Sequence, residues 1–110
     1  MSIESAQEFF DHLPRYFVPE SALGVRARVQ FELSGDGGGE WGVAIADGAV
    51  QVTPGRIESP ALTVRVSAAD WLALVNRKMN PMAAFMQGRL KVIGSQSLAL
   101  KLQSLFRAPE

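Results

Sequence analysis

The sequence predicts an α+β fold, a five-stranded, mainly antiparallel sheet with a helical layer on one face. Apolar residues recur at spacings of three and four near both ends of the chain, and they alternate strictly with polar residues in the middle. Glycine-rich and Asp-Gly turns join the alternating segments one after another. Each strand offers a single apolar face, and the helices gather before and after the strands, so they should pack as one layer on that face. At 110 residues the chain fits a single domain spanning 1–110, because domains usually run to roughly 100–150 residues.

The opening segment sets Ile3, Ala6, Phe10, Leu13 and Phe17 on one helical face. Ser5 followed three residues later by Glu8 forms a capping box, with Ser2 as the alternative cap, and Pro14 should end or kink the helix. From Val25 the period drops to two: Val25, Ala27, Val29, Phe31 and Leu33 alternate with Arg26, Arg28, Gln30 and Glu32, the pattern of a strand with one wet face. The glycines between Gly35 and Gly39 allow a reversal into Trp41, Val43 and Ile45, and Asp47-Gly48 suits a type I′ turn into Val50 and Val52. Three successive antiparallel strands result. Leu62, Val64 and Val66 make a fourth strand beyond the loop that holds Pro54, Gly55 and Pro60.

Ser67 with Asp70 is a second capping box and opens a helix carrying Trp71, Leu72, Leu74 and Val75. Asn80-Pro81 starts another, with Met82, Phe85 and Met86, which Gly88 should stop. Leu90 and Val92 alternate with Arg89 and Lys91 in a fifth strand, and Ser95 caps a last helix. On that helix Leu98, Leu102 and Leu105 share one side, while Leu100 and Phe106 widen the stripe.

Composition excludes several functions. With 47% hydrophobic and 20% charged residues the chain has ample material for a core and lies outside the regime of disorder. Eleven Lys and Arg balance eleven Asp and Glu, so the molecule as a whole has no field to steer a nucleic acid. The absence of cysteine excludes disulfides and thiolate chemistry and fits a reducing, cytoplasmic setting. Glu4, Glu8 and Asp11 interrupt the apolar residues of the N-terminus, unlike a signal peptide, and no run reaches the ~18 uncharged apolar residues of a membrane span, so no stable membrane insertion is expected.

The residues Asp70-Trp71-Leu72-Ala73-Leu74, Lys78-Met79-Asn80-Pro81, Ala84-Phe85-Met86-Gln87-Gly88-Arg89-Leu90-Lys91, Gly94, Leu98-Ala99 and Lys101-Leu102-Gln103 resemble, in order and spacing, the signature of the sterol carrier protein type-two domain family. Trp41, Val43 and the Asp47-Gly48 turn are similar to that family's sheet pattern. The resemblance implies a twisted five-stranded sheet covered on one side by helices, with an apolar cavity between the layers that accepts fatty acyl chains, sterols or isoprenoids. It also implies no cofactor and no catalytic residues. Arg77 departs from the family pattern, standing where a glycine commonly precedes the lysine. The chain ends Arg107-Ala108-Pro109-Glu110, without a Ser-Lys-Leu type of peroxisomal address.

The candidate ligand contacts are Phe31 and Val43 on the sheet, Trp71, Val75, Met79, Met82, Phe85 and Met86 on the central helices, and Leu98, Leu102, Gln103 and Phe106 on the last helix. Met79, Met82 and Met86 carry unbranched thioethers that suit either irregular core space or a surface taking varied apolar partners. Trp71, Phe85 and Phe106 divide in the same way between core and cavity wall, and Gln103 between a polar anchor and a solvated side chain. His12 is the only histidine and is expected to be exposed next to Asp11, so no cluster of imidazoles can hold a catalytic metal, and a serine hydrolase, the third and least favoured reading, would need His12 as its base. Gly94-Ser95-Gln96-Ser97 lacks the second glycine of a nucleophile elbow. The glycines at 35, 37, 38 and 39 precede a strand rather than a helix and read as a hairpin loop, not a phosphate cradle. Arg26, Arg28 and Arg65 offer a small basic patch on the wet sheet face, read as solvated surface or as a contact for anionic lipid head groups. The expected function is non-catalytic carriage or storage of a lipid, the alternative being presentation of a lipid intermediate to an enzyme partner, for example in isoprenoid quinone synthesis. The broad apolar faces leave a homodimer open.

Overall fold

The computed structural model describes residues 3–105; Phe106 and the side chain of Gln103 lie outside the described residues. The elements run α1 (Ala6–Asp11), α2 (Leu13–Tyr16), a 3-10 turn (Pro19–Ala22), β1 (Ala27–Ser34), β2 (Gly39–Ala46), β3 (Ala49–Pro54), β4 (Leu62–Ser67), α3 (Ala68–Val75), α4 (Pro81–Met86), β5 (Leu90–Gly94) and α5 (Gln96–Leu105). The five strands form one sheet in the order β3-β2-β1-β4-β5. Three of its pairings are antiparallel, but β4 lies parallel to β1, with Val29 opposite Leu62 and Leu33 opposite Val66. The sheet is therefore mixed, a feature that alternation along each strand does not encode. Among the described residues no helix is long and apolar enough to cross a membrane.

The caps form as the sequence requires. Ser5 Oγ accepts from the Glu8 amide at 3.0 Å and Ser67 Oγ from the Asp70 amide at 3.0 Å. The Asn80 side chain accepts from the Met82 and Ala83 amides, and Ser95 Oγ from the Leu98 amide. Each satisfies a donor that the first helical turn leaves without an intrahelical acceptor. The opening helix breaks at His12 into α1 and α2, with Pro14 in the first turn of the second piece; proline lacks the amide that a continuous helix would need there. Both pieces keep Ile3, Ala6, Phe10, Leu13 and Phe17 buried. His12, expected to be exposed, is half-buried at this break, where it is both the C-cap of α1 and the N-cap of α2.

Val29, Phe31 and Leu33 of β1, Trp41, Val43 and Ile45 of β2, and Leu62, Val64 and Val66 of β4 form the floor of the core. The outer face is partly covered as well. Gln30 points to that side yet is buried, because its amide nitrogen donates to the Trp41 and Gly55 carbonyls and its oxygen accepts from the Ile57 amide at 2.8 Å. These bonds hold the loop between β3 and β4 flat on the sheet. The loop lies so close that a Cβ at Gly42 would overlap the Ile57 side chain. At the hairpin turn Asp47 and Gly48 both have positive φ, 55° and 73°, as a type I′ turn demands.

Candidate functional site

Between sheet and helices lies an aromatic cluster. Phe10 stacks on Trp41 with ring centroids 4.4 Å apart, and Trp71 of α3 stands 5.3 Å from Phe9, 5.4 Å from Phe31 and 6.1 Å from Phe10. Such contacts add roughly 0.5–1.5 kcal/mol each beyond the burial of area. The aliphatic wall around them includes Val75, Leu98 and Leu102, half-buried and packed on the core, with Leu105 fully buried. The structure thus brings Phe31, Val43, Trp71, Val75, Leu98 and Leu102 together in one apolar interior.

Two features set this interior apart from an ordinary core. Trp71, Leu72, Ala73, Leu74 and Val75 are all half-buried, although they form an unbroken apolar run; within α3 only Ala68 is fully buried. In addition, Trp71 Nε1 is shielded from solvent and has no hydrogen-bond partner among the described residues. Burying such a donor without an acceptor costs about 1–3 kcal/mol.

The other candidates lie outward. Met79 is half-buried in the loop leading to α4, and Met82, Phe85 and Met86 occupy the exposed face of that helix, which is anchored by the buried Ala84. Leu100, expected to widen the apolar stripe of the last helix, faces solvent.

Two helix ends share one construction. After α3, Arg77 donates to Leu74 and Lys78 to Ala73; after α4, Gly88 donates to Phe85 and Arg89 to Ala84. Both are Schellman caps, whose first residue beyond the cap takes a positive φ. Gly88 does so at 75° and Arg77 at 61°. The residue departing from the family pattern therefore keeps the backbone a glycine would adopt, at a steric cost of roughly 1–2 kcal/mol.

Two depressions occur on the polar side of the molecule, and none of the candidate ligand contacts lines them. One, of about 550 Å³, lies at the end of the sheet among Glu32, Glu40, Arg56, Arg65, Asp70, Arg89 and Lys91. The other, of about 240 Å³, lies beside Arg28, Gly42 and Ile57. Charges of the first are largely matched, Arg65 to Glu32 and Arg56 to Glu40, each at 2.8 Å. Arg26 pairs with Asp47 and Arg28 donates to the Glu58 carbonyl, so the basic patch expected from Arg26, Arg28 and Arg65 is engaged by local partners. No group of three or more His, Asp or Glu side chains among the described residues could hold a metal ion.

A mixed sheet roofed by helices over an aromatic interior makes this an α+β domain whose apolar residues are only half covered on α3. The chain matches the sequence profile of the SCP-2 sterol transfer family over residues 18–107 and belongs to that family. Sterol carrier protein 2 of Rattus norvegicus is 42% identical over 78 residues, which cover 69% of this chain and 14% of that protein. The chain thus spans about one seventh of the length of these curated relatives. The crystal structure of sterol carrier protein 2 like 2 from Aedes aegypti superposes with a TM-score of 0.74 at 25% identity, covering 91% of this chain and 92% of that one. The sec-alkylsulfatase Pisa1 from Pseudomonas sp. shares the fold, with a TM-score of 0.83 at 18% identity over 97% of this chain and 17% of its own.

Sequence reasoning missed Gln30, Asn76 and the unpartnered Trp71 indole. None of the three had a local signal: Gln30 stands at a polar position of the alternation, Asn76 follows the apolar run of α3 beside Arg77 and Lys78, and an indole's hydrogen-bond partner is set by the tertiary structure.

Proposed function

We propose that this domain binds and transfers or stores a single lipid-like apolar molecule, a fatty acyl chain, sterol or isoprenoid, without catalysing a reaction. The guest's apolar part lodges between α3, α5 and the sheet, against Phe31, Val43, Trp71, Val75, Leu98 and Leu102, with Met79, Met82, Phe85 and Met86 toward the outer end of the site. The observation that carries this reading is Trp71: a buried indole N–H without an acceptor, on a helix whose apolar run is only half covered. A carbonyl, carboxylate or hydroxyl at the polar end of a lipid supplies the missing acceptor, and its tail covers the exposed apolar area. Each square ångström so removed from water contributes about 25 cal/mol, which gives affinity with little discrimination among tails.

The aromatic cluster fills the interior, so a guest enters by displacing side chains of α1 and α3 rather than by dropping into an open hole.

Native mass spectrometry of the purified protein, followed by lipid extraction, tests the reading. A one-to-one complex with a copurified lipid, or saturable uptake of a fluorescent acyl probe, is expected. Protein that carries no lipid and takes up neither acyl, sterol nor isoprenoid probes would overturn it. The variant Trp41→Phe leaves Trp71 as the reporter; quenching of its emission by a brominated fatty acid would locate the guest beside α3.

A further inference from the structure

The rings around the Trp71 indole are those of Phe9, Phe10 and Phe31, and every Arg and Lys among the described residues is exposed. The indole N–H is enclosed and has no acceptor among those residues. A polar atom brought to it therefore meets one neutral donor and no buried cation.

The titratable groups of the surrounding elements are engaged elsewhere or are few. On α1, Glu8 accepts from the Glu4 amide and Asp11 from the Gln7 side chain. Glu32 of β1, Glu40 of β2, Arg65 of β4, Asp70 of α3 and Lys91 of β5 line the polar depression at the end of the sheet. Arg28 donates to the Glu58 carbonyl, and Arg15 of α2 and Lys101 of α5 are exposed. There remain Tyr16, stacked on Phe9 with centroids 5.6 Å apart, and the half-buried His12.

A carboxylate or phosphate placed at Trp71 would lose its hydration in exchange for a single N–H bond. A buried anion stays ionised only beside an opposite charge or several donors. An ester, ketone or alcohol oxygen has no charge to desolvate and is met by the one bond.

We propose that this interior accepts the oxygen-bearing head of its guest only in uncharged form. A neutral ester, ketone or alcohol of a long-chain or cyclic lipid binds as it is. A fatty acid binds as the neutral acid, its carboxylate taking one proton from solvent as it enters. The proposal rests on the carrier reading and narrows the acceptors named there to those without charge, with Trp71 as the residue that orients the head inward.

The test compares three ligands of one chain length, methyl dodecanoate, dodecanoic acid and dodecane, by displacement of a fluorescent alkyl probe that has no ionisable group. Affinity for the ester should be equal at about pH 8 and pH 6, whereas affinity for the acid should rise about tenfold for each unit the pH falls, since one proton is bound with the ligand. This arm uses the wild-type chain and depends on no variant. The variant His12→Gln should keep the slope. In Trp71→Phe the ester should lose about fivefold relative to dodecane, the worth of one neutral hydrogen bond; a purely packing role would weaken both ligands alike. Acid binding that does not change with pH, a slope abolished in His12→Gln, or an unchanged ester-to-dodecane ratio in Trp71→Phe would each overturn the proposal. The failures are distinguishable: if no probe or ligand binds, the carrier reading falls and this inference with it, whereas pH-independent binding of the acid beside the ester refutes the uncharged head alone.

Discussion

The carboxamide of Asn76 grips the main chain of Ile3 with both of its polar groups: the Ile3 amide donates to Asn76 Oδ1 and Asn76 Nδ2 donates to the Ile3 carbonyl, each at 2.8 Å. Asn76 caps the C-terminus of α3, while Ile3 leads into α1, which supplies Phe9 and Phe10 to the aromatic cluster. Helices α1 and α3 are thus fastened to each other at this point. Replacing Asn76 by alanine should cost about 1–2 kcal/mol for the pair of bonds. Amide exchange in α1 should accelerate and a bound acyl probe should leave faster. Unaltered exchange in α1 would show that the clamp does not govern access.

Trp71→Phe separates packing from hydrogen bonding. The smaller ring gives up contacts, but it also removes a buried donor that has no acceptor among the described residues, so melting should change little. Affinity for a fatty acid should fall about fivefold, the loss of a neutral hydrogen bond near 1 kcal/mol. Isothermal titration with wild type and variant decides the matter: equal affinities would show that the indole N–H does not meet the guest.

Arg77→Gly should stabilise the domain. Arginine at positive φ carries a steric cost that glycine does not, offset in part by the greater freedom of glycine in the unfolded chain, for a net gain of about 0.5–1 kcal/mol. A rise in Tm of a few degrees is the expected reading. A fall would mean that the Arg77 side chain contributes more to stability than its backbone loses.

Gln30→Leu should destabilise by about 1–3 kcal/mol, because the Ile57 amide and the Gly55 carbonyl lose partners that leucine cannot replace. The effect should be local as well as global. Hydrogen exchange at Ile57 should speed up before exchange within β1 does, and simultaneous exchange of the two would argue that the loop and sheet open as one unit.

The comparison of sequence with structure follows from the range of each signal. The Ser5, Ser67, Asn80 and Ser95 caps were legible because a side chain bonds an amide two or three residues ahead. The strand at Val25 to Leu33 was legible because alternation is a property of neighbours. Six of the twelve candidate contacts, Phe31, Val43, Trp71, Val75, Leu98 and Leu102, do meet in one interior, since they share the apolar face that periodicity identifies. The placement of Met82, Phe85 and Met86 was not legible: a three-four spacing names a helical face without saying whether another layer covers it. Nor was the fate of the arginines, for Arg65 meets Glu32 only because β4 aligns with β1.

The sequence by itself determined the element types, their caps, the apolar face of the sheet and the signature that places the chain in its family. All of these depend on residues a few positions apart or on a motif read in order. Only the tertiary structure decided that β4 runs parallel to β1, that the indole of Trp71 is enclosed without a partner among the described residues, and that Met82, Phe85 and Met86 stay uncovered on α4. Each of those outcomes is a distance between groups brought together by folding, and local periodicity carries no measure of it.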